Sequence, residues 1–161
     1  GKYCPDEELE LRKMLNETAP DFALEATNGE QVKLSSLKGA FVVLVFYPAN
    51  DTPTCNAQLA EMSLSAQELL ARNALVFGVN TASASRSGDY CLRKRLTFPI
   101  LSDPGGAVAR QYKAFTAWIG LNRRTVVVVS PEGSICFYEK GKPPASKILA
   151  VIDNLRAPAE A

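Results

Sequence analysis

Histidine is absent from this 161-residue chain. Its absence excludes Ser-His-Asp and Cys-His catalysis and any imidazole metal site. Cysteine is scarce: Cys4, Cys55, Cys91 and Cys136 lie dozens of residues apart, so no C-x-x-C pair exists to bind zinc or run dithiol exchange. Four are also too few for a disulfide scaffold, and a reducing, cytoplasmic setting is the expectation. No apolar run approaches the roughly 20 residues that cross a bilayer. The start, with Asp6, Glu7, Glu8 and Glu10, lacks the basic-then-apolar order of a signal peptide, while Gly1 in first place leaves room for a processed start and a removed targeting segment. A dominant charge sign is missing too: 18 basic against 17 acidic side chains leave +1, which gives no field to draw nucleic acid or an anionic membrane.

What is present describes one globular α/β domain. Apolar residues make up 47% and charged residues 22%, and a chain of this size buries roughly 70% of its unfolded surface without a staple. Residues 6–16 carry Leu9, Met14 and Leu15 among charges, a short helical pattern expected on the surface as an N-terminal extension over 1–17. Asp21 to Ala26 and Gln31 to Leu34 flank Asn28-Gly29, which predicts a two-residue hairpin joining two edge strands. Phe41 to Tyr47 is continuously apolar, β-branched and aromatic, the pattern of a central strand covered on both faces.

Helical spacing of Leu59, Met62, Ala66, Leu69 and Leu70 over Thr54 to Arg72, followed by a strand at Ala74 to Val79, predicts a β-α-β unit. A second helix is expected over Ser85 to Arg95, and a third from the Asp103-Pro104 cap through Tyr112. Val126 to Val129 and Ile135 to Tyr138 form a hairpin about Pro131-Glu132-Gly133, and Lys147 to Leu155 closes the domain as a helix before a frayed tail at 157–161. The sum is a mixed sheet with helices on both faces and an N-terminal hairpin, spanning 18–156.

Ligands of open α/β sheets gather beyond the carboxyl ends of the strands, where the segment Pro48 to Cys55 leaves the central strand. Thr52 suits an N-cap and Pro53 a first helical position, so Cys55 falls in the first turn. Unpaired N–H groups and the positive end of the helix dipole there favour thiolate. Thr52 keeps its hydroxyl near the sulfur, and Pro48 and Pro53 shield the pocket from water. Cys55 reads equally as a small buried hydrophobe, and Thr52 as a cap alone.

Pro48-x-x-x-Thr52-x-x-Cys55 after a hydrophobic strand resembles the active-site signature of the peroxiredoxins. Ala19-Pro20-Asp21-Phe22, Phe98-Pro99-Ile100-Leu101-Ser102-Asp103, and Arg124 ahead of Val126 to Val129 and Gly133 extend the likeness over residues 18–155. Length and layout are most similar to the bacterioferritin comigratory protein, or peroxiredoxin Q, branch. The resemblance implies a thioredoxin-like fold, no cofactor or metal, Cys55 as the nucleophile that reduces hydrogen peroxide and organic hydroperoxides, and Arg124 as its cationic partner. An arginine suits that role because its charge is permanent and its N–H fork reaches both sulfur and oxygen. A register shift of one would exchange Arg124 with Arg123, otherwise a solvated surface charge.

Many members of the branch carry a second cysteine where this chain has Ala60. The resemblance to members with a resolving cysteine in the later helix points instead to Cys91, with an external thiol in a one-cysteine cycle as the alternative. A disulfide needs Cα atoms within roughly 4.4 to 6.8 Å, so the Cys91 helix, the first turn around Cys55, or both must unwind. Ser83, Ser85, Ser87 and Gly88 make the start of that helix weak. Thr54 and Asn56 stand where Gly and Thr often flank the nucleophile. Cys136 is expected in the core and Cys4 to be incidental. The family implies a thioredoxin or similar dithiol donor and a monomer, since no exposed apolar stripe is visible in the sequence. A thiol redox sensor, or a redox-regulated binding module without turnover, is the alternative function.

Overall fold

The computed structural model describes residue 9 and residues 12–156. Its seven-stranded sheet runs in the order β2-β1-β5-β4-β3-β8-β9. These strands are β1 (Ala23–Ala26), β2 (Gln31–Lys33), β3 (Phe41–Phe46), β4 (Ala74–Asn80), β5 (Ile100–Ser102), β8 (Thr125–Val129) and β9 (Ile135–Lys140). Two short strands, β6 (Phe115–Thr116) and β7 (Leu121–Asn122), pair separately. The central trio β3, β4 and β5 is parallel, and antiparallel pairs flank it on either side. The fold is thioredoxin-like.

All six residues of β3 are buried, and the strand's two-residue period divides them between two cores. Val42, Leu44 and Phe46 enter one core with Phe77, Val79, Val127 and Tyr112. Phe41, Val43 and Val45 enter the other with Leu59, Met62, Tyr90, Val126, Ile148 and Ile152. The second face is covered by helices α1 (Pro53–Ala71), α2 (Ala84–Lys94) and α4 (Ala145–Arg156), the first by α3 (Ala107–Gln111) and the segment before β1. Each large apolar side chain sealed this way stabilises the fold by about 1.5–3 kcal/mol.

Several expectations are corrected. Strand β1 is internal, paired with β2 on one side and β5 on the other, because the hairpin docks on the parallel trio through Glu25 and Ala26. The turn between β1 and β2 is longer than two residues: only Gly29 takes a positive φ, 87°, and the Asn28 side chain accepts from the Glu30 N–H. Leu70 is exposed, since its place on α1 faces away from the sheet. Leu9 is exposed, but Met14 is packed into the core, its segment pinned by bonds from Asn16 N–H to Ile135 and from Ala19 N–H to Gly133.

The helix expected from Pro104 to Tyr112 is broken. Gly105 and Gly106, with φ of 77° and 75°, end a 3-10 turn over Pro104–Gly106, and α3 begins only at Ala107. A side chain at Gly106 would meet the Phe115 ring at 2.4 Å. Asp103 still caps, but across the break: its buried carboxylate accepts from the N–H groups of Val108 and Ala109 at 3.1 and 2.9 Å. Cys136 is only partly buried, on the rim of the second core. No helix among the described residues is long and apolar enough to cross a membrane.

Candidate active site

Thr52 is the N-cap of α1, with extended backbone and a hydroxyl that accepts the Cys55 N–H at 3.2 Å. Pro53 supplies the fixed φ of the first helical position. Asp51, just ahead, holds a left-handed φ of 64°, a conformation short acidic side chains tolerate. Cys55 therefore sits in the first helical turn with no exposed surface, against the Ala49 backbone. Pro48 and Ala49, with Asn50, Tyr90 and Leu121, border an adjacent cavity of about 630 Å³.

Arg124 reaches the sulfur from the sheet. Strand β8 runs antiparallel to β3 with Thr125 opposite Phe46, so the residue before Thr125 stands beside the loop leaving β3. Its Nη2 donates to Cys55 Sγ at 3.4 Å and its Nη1 to Gln58 Oε1 at 2.8 Å. Its carbonyl is anchored by the Gly141 N–H at 2.8 Å. Arg123 is exposed, and it is Arg124, not its neighbour, that meets the thiol.

The three described cysteines differ in acidity. Burial pushes the Cys55 thiol up, but hydrogen bonds from the Thr52 hydroxyl, the Ala49 backbone and Arg124 outweigh it and hold Cys55 below the ordinary thiol value. Burial raises Cys91, against weaker opposing bonds from Thr27 and Ile100. Burial also pushes Cys136 up to about 11. Only Cys55 is tuned toward thiolate, the nucleophilic form.

Cys91 lies on α2 with its sulfur 3.7 Å from the Thr27 hydroxyl, on the β1 side of the helix, and no bond joins it to Cys55. It lines a separate cavity of about 580 Å³ with Thr27, Gly88 and Pro99. Thr52, Cys55 and Arg124 thus form one constellation, Pro48 lines the neighbouring cavity, and Cys91 stands apart. Cys4 lies outside the described residues. Among the described residues no group of three or more His, Cys, Asp or Glu side chains is placed to hold a metal.

Two features escape the sequence reading. Gln58, one helical turn beyond Cys55 on the same face, is 4% exposed and holds Arg124; the turn spacing was the available signal. Asn56 accepts the Tyr90 hydroxyl at 2.5 Å and so ties α1 to α2, a pairing no local pattern announces. The turn between β6 and β7 also exposes apolar surface, with Trp118 at 88% and Ile119 at 50%, contrary to the expectation of no such patch.

A buried cysteine at a helix start, its acidity raised and its sulfur faced by a guanidinium on a thioredoxin-like sheet, defines a class of thiol-centred redox proteins. The model of the AhpC/TSA family matches residues 15–137, and the chain belongs to that family, the peroxiredoxins. It is 33% identical over 104 residues to peroxiredoxin Bcp of Bacillus subtilis, covering 65% of this chain and 64% of that protein. It is 31% identical over 153 residues to a putative peroxiredoxin bcp of Helicobacter pylori, covering 89% and 97%. The chain thus spans about two thirds of the Bacillus relative's length and nearly all of the Helicobacter one. Among solved structures, peroxidoxin BcpB of Mycobacterium tuberculosis superimposes with a TM-score of 0.81 at 28% identity, covering 89% of this chain and 98% of that one. Enterococcus faecalis AhpC, at 24% identity, a TM-score of 0.84 and coverage of 91% and 95%, shares the fold.

Proposed function

We propose that this chain is a thiol peroxidase that reduces hydrogen peroxide and organic hydroperoxides through Cys55. The observation that carries the reading is the convergence of Thr52, the helix start and Arg124 on one buried sulfur. The Cys55 thiolate attacks one peroxide oxygen; the S–O bond forms as the O–O bond breaks, and both electrons of that bond leave with the second oxygen, which takes a proton to become water or an alcohol. Charge moves from sulfur to the departing oxygen, and a fixed guanidinium stabilises that developing charge without reorganising. The Thr52 hydroxyl, which accepts the Cys55 N–H and favours the ionised sulfur, orients the attacking atom. Pro48 keeps bulk water from the pocket.

The resulting sulfenic acid condenses with the Cys91 thiol, forming a disulfide and releasing water, and an external dithiol of the thioredoxin type returns both cysteines to thiols. The 3.7 Å contact of Cys91 with Thr27 supports a resting thiol that must be moved to react. Peroxide consumption with a dithiol donor tests the reading, together with a non-reducing peptide map after one equivalent of peroxide. Turnover that disappears in Cys55→Ser supports it. Turnover unaffected by that substitution overturns it, and one stoichiometric oxidation without turnover would make the chain a redox sensor.

A further inference from the structure

The two-stranded ribbon of β6 and β7 presents a run of exposed residues, Ala117, Trp118, Ile119, Gly120 and Leu121. Trp118, Ile119 and Leu121 are large and apolar. The tip is held in place. Gly120, at a φ of 69°, donates its N–H to the Thr116 carbonyl at 3.0 Å. At the base the buried Asn122 amide donates to the Val79 carbonyl at 3.0 Å, and the Arg123 N–H to the Ala114 carbonyl at 2.7 Å. Contiguous apolar side chains fixed in water mark a contact surface. Leu121 also borders the cavity of Pro48 and Ala49, so the tip stands beside the loop that leads to Cys55.

Charge around the tip has one sign. No Asp or Glu occurs between Asp103 and Glu132, a stretch that holds Arg110, Lys113, Arg123 and Arg124. Arg110, Lys113 and Arg123 are exposed. The Arg110 guanidinium lies 4.6 Å from the centre of the Phe115 ring on β6, and Lys140 Nζ donates to the Lys113 carbonyl, which brings a further cation to the base of the ribbon. The cavity beside the tip is lined by Arg86 and Arg93 against one carboxylate, Asp89. A net charge of +1 gives no long-range field, but local charges act within a Debye length of about 8–10 Å, and over that range this collar is basic.

A second copy of the chain is a poor occupant, because a twofold contact through the tip would press two basic collars together. A folded protein partner needs about 800 Å² on each side, and one Trp and one Ile on a turn supply roughly half of that at most. An anionic bilayer asks for less. Tryptophan settles at the headgroup level, and basic residues close to the surface add attraction to anionic lipids.

We propose that the Trp118–Ile119 tip, with Arg110 and Lys113 behind it, docks this protein on anionic lipid surfaces. Trp118 and Ile119 enter the headgroup region, the basic collar meets the lipid phosphates, and the cavity beside the Cys55 loop comes to lie against the bilayer. Hydroperoxides carried on membrane lipids are thereby delivered to the thiol. This substrate class rests on the reading of Cys55 as a peroxidase nucleophile; the docking does not.

The full chain is tested on vesicles of phosphatidylcholine mixed with phosphatidylglycerol and on vesicles of phosphatidylcholine alone. Trp118 is the only tryptophan, so its emission reads docking directly: a blue shift with the mixed vesicles, reversed by salt, is expected, and none with phosphatidylcholine. In co-sedimentation, Trp118→Ser should weaken binding about tenfold, and Arg110→Gln and Lys113→Gln about fivefold each. Leu64→Ser, which replaces an exposed apolar residue of α1, should change nothing. With a dithiol donor, Trp118→Ser should slow reduction of phospholipid hydroperoxide in the mixed vesicles about tenfold and leave hydrogen peroxide reduction within about twofold of wild type, a split that misfolding does not produce. An unshifted emission, or equal binding to both kinds of vesicle, overturns the docking surface. A dimer that Trp118→Ser dissociates, without vesicle binding, makes the tip a self-contact and overturns it as well. Vesicle binding without turnover of any hydroperoxide would overturn the peroxidase reading alone.

Discussion

Gln58 receives Arg124 Nη1 at 2.8 Å through a neutral carbonyl oxygen, while the other arm of the same guanidinium lies 3.4 Å from the Cys55 sulfur. The amide fixes the direction of the arginine without cancelling its charge. A carboxylate in its place would hold the arginine equally well and also stand as a second anion beside the thiolate.

Gln58→Glu is therefore expected to raise the Cys55 pKa, since like charge disfavours the ionised thiol. At neutral pH the reaction with hydroperoxide should slow on the order of tenfold. Alkylation of Cys55 as a function of pH, compared with stopped-flow peroxide reduction, reads both effects. Unchanged alkylation would assign Gln58 to packing only.

Arg124→Ala removes a preorganised donor from a buried charged centre, for which losses of about 10²- to 10³-fold in rate are usual. Arg124→Lys should recover little of this, because one ammonium cannot serve Cys55 and Gln58 as a planar fork does. Arg123→Ala, on the exposed side, should leave the rate near wild type. The three rate constants measured at one pH decide between the neighbours.

The acidity of Cys55 is also a stability statement. Its folded pKa is held below the ordinary value of 9.0 by Thr52, the Ala49 backbone and Arg124 against the opposing effect of burial. The folded chain thus loses this proton at lower pH than the unfolded chain. The stabilisation is fully present above the unfolded value and is lost as pH falls through the folded one. Cys136, raised by burial to about 11, behaves oppositely: its contribution holds below the unfolded value and fades as pH rises toward the folded one. Denaturant unfolding of wild type against Cys55→Ala and Cys136→Ala should give differences that grow with pH for the first and shrink under alkaline conditions for the second.

Asp103→Ala should destabilise the domain by about 1.5–3 kcal/mol, the range for hydrogen bonds to a charged group. It strips the buried cap from Val108 and Ala109 at the start of α3. Asp103→Asn keeps one acceptor and should lose less. Thermal or denaturant melts measure the pair. Equal loss in both would place the effect in the carboxylate's charge and not in its capping geometry.

The parts of the fold that were legible in the sequence are those whose cause is local. The uninterrupted apolar run at Phe41 to Phe46 marks a strand buried on both faces wherever it is placed. Thr52-Pro53 starts a helix by satisfying its own first N–H groups, and this alone puts Cys55 in the first turn. The misreadings share a cause as well. Asp103-Pro104 looked like a helix start, and Asp103 does cap, but the two positive-φ glycines moved the helix it caps along the chain. Asn28-Gly29 looked like the tip of two edge strands, yet β1 has neighbours on both sides. Edge or interior is a property of what docks later, not of the turn.

By itself, then, the sequence determined a central buried strand, the helix that follows it and a cysteine placed where the helix dipole favours its anion, because periodicity and capping act over one or two turns. Tertiary structure decided which arginine meets that sulfur and that Gln58 steers it. Those outcomes depend on strand register and on side chains dozens of residues apart sharing one buried space, where a polar atom without a partner is costly and each new pairing is fixed by all the others.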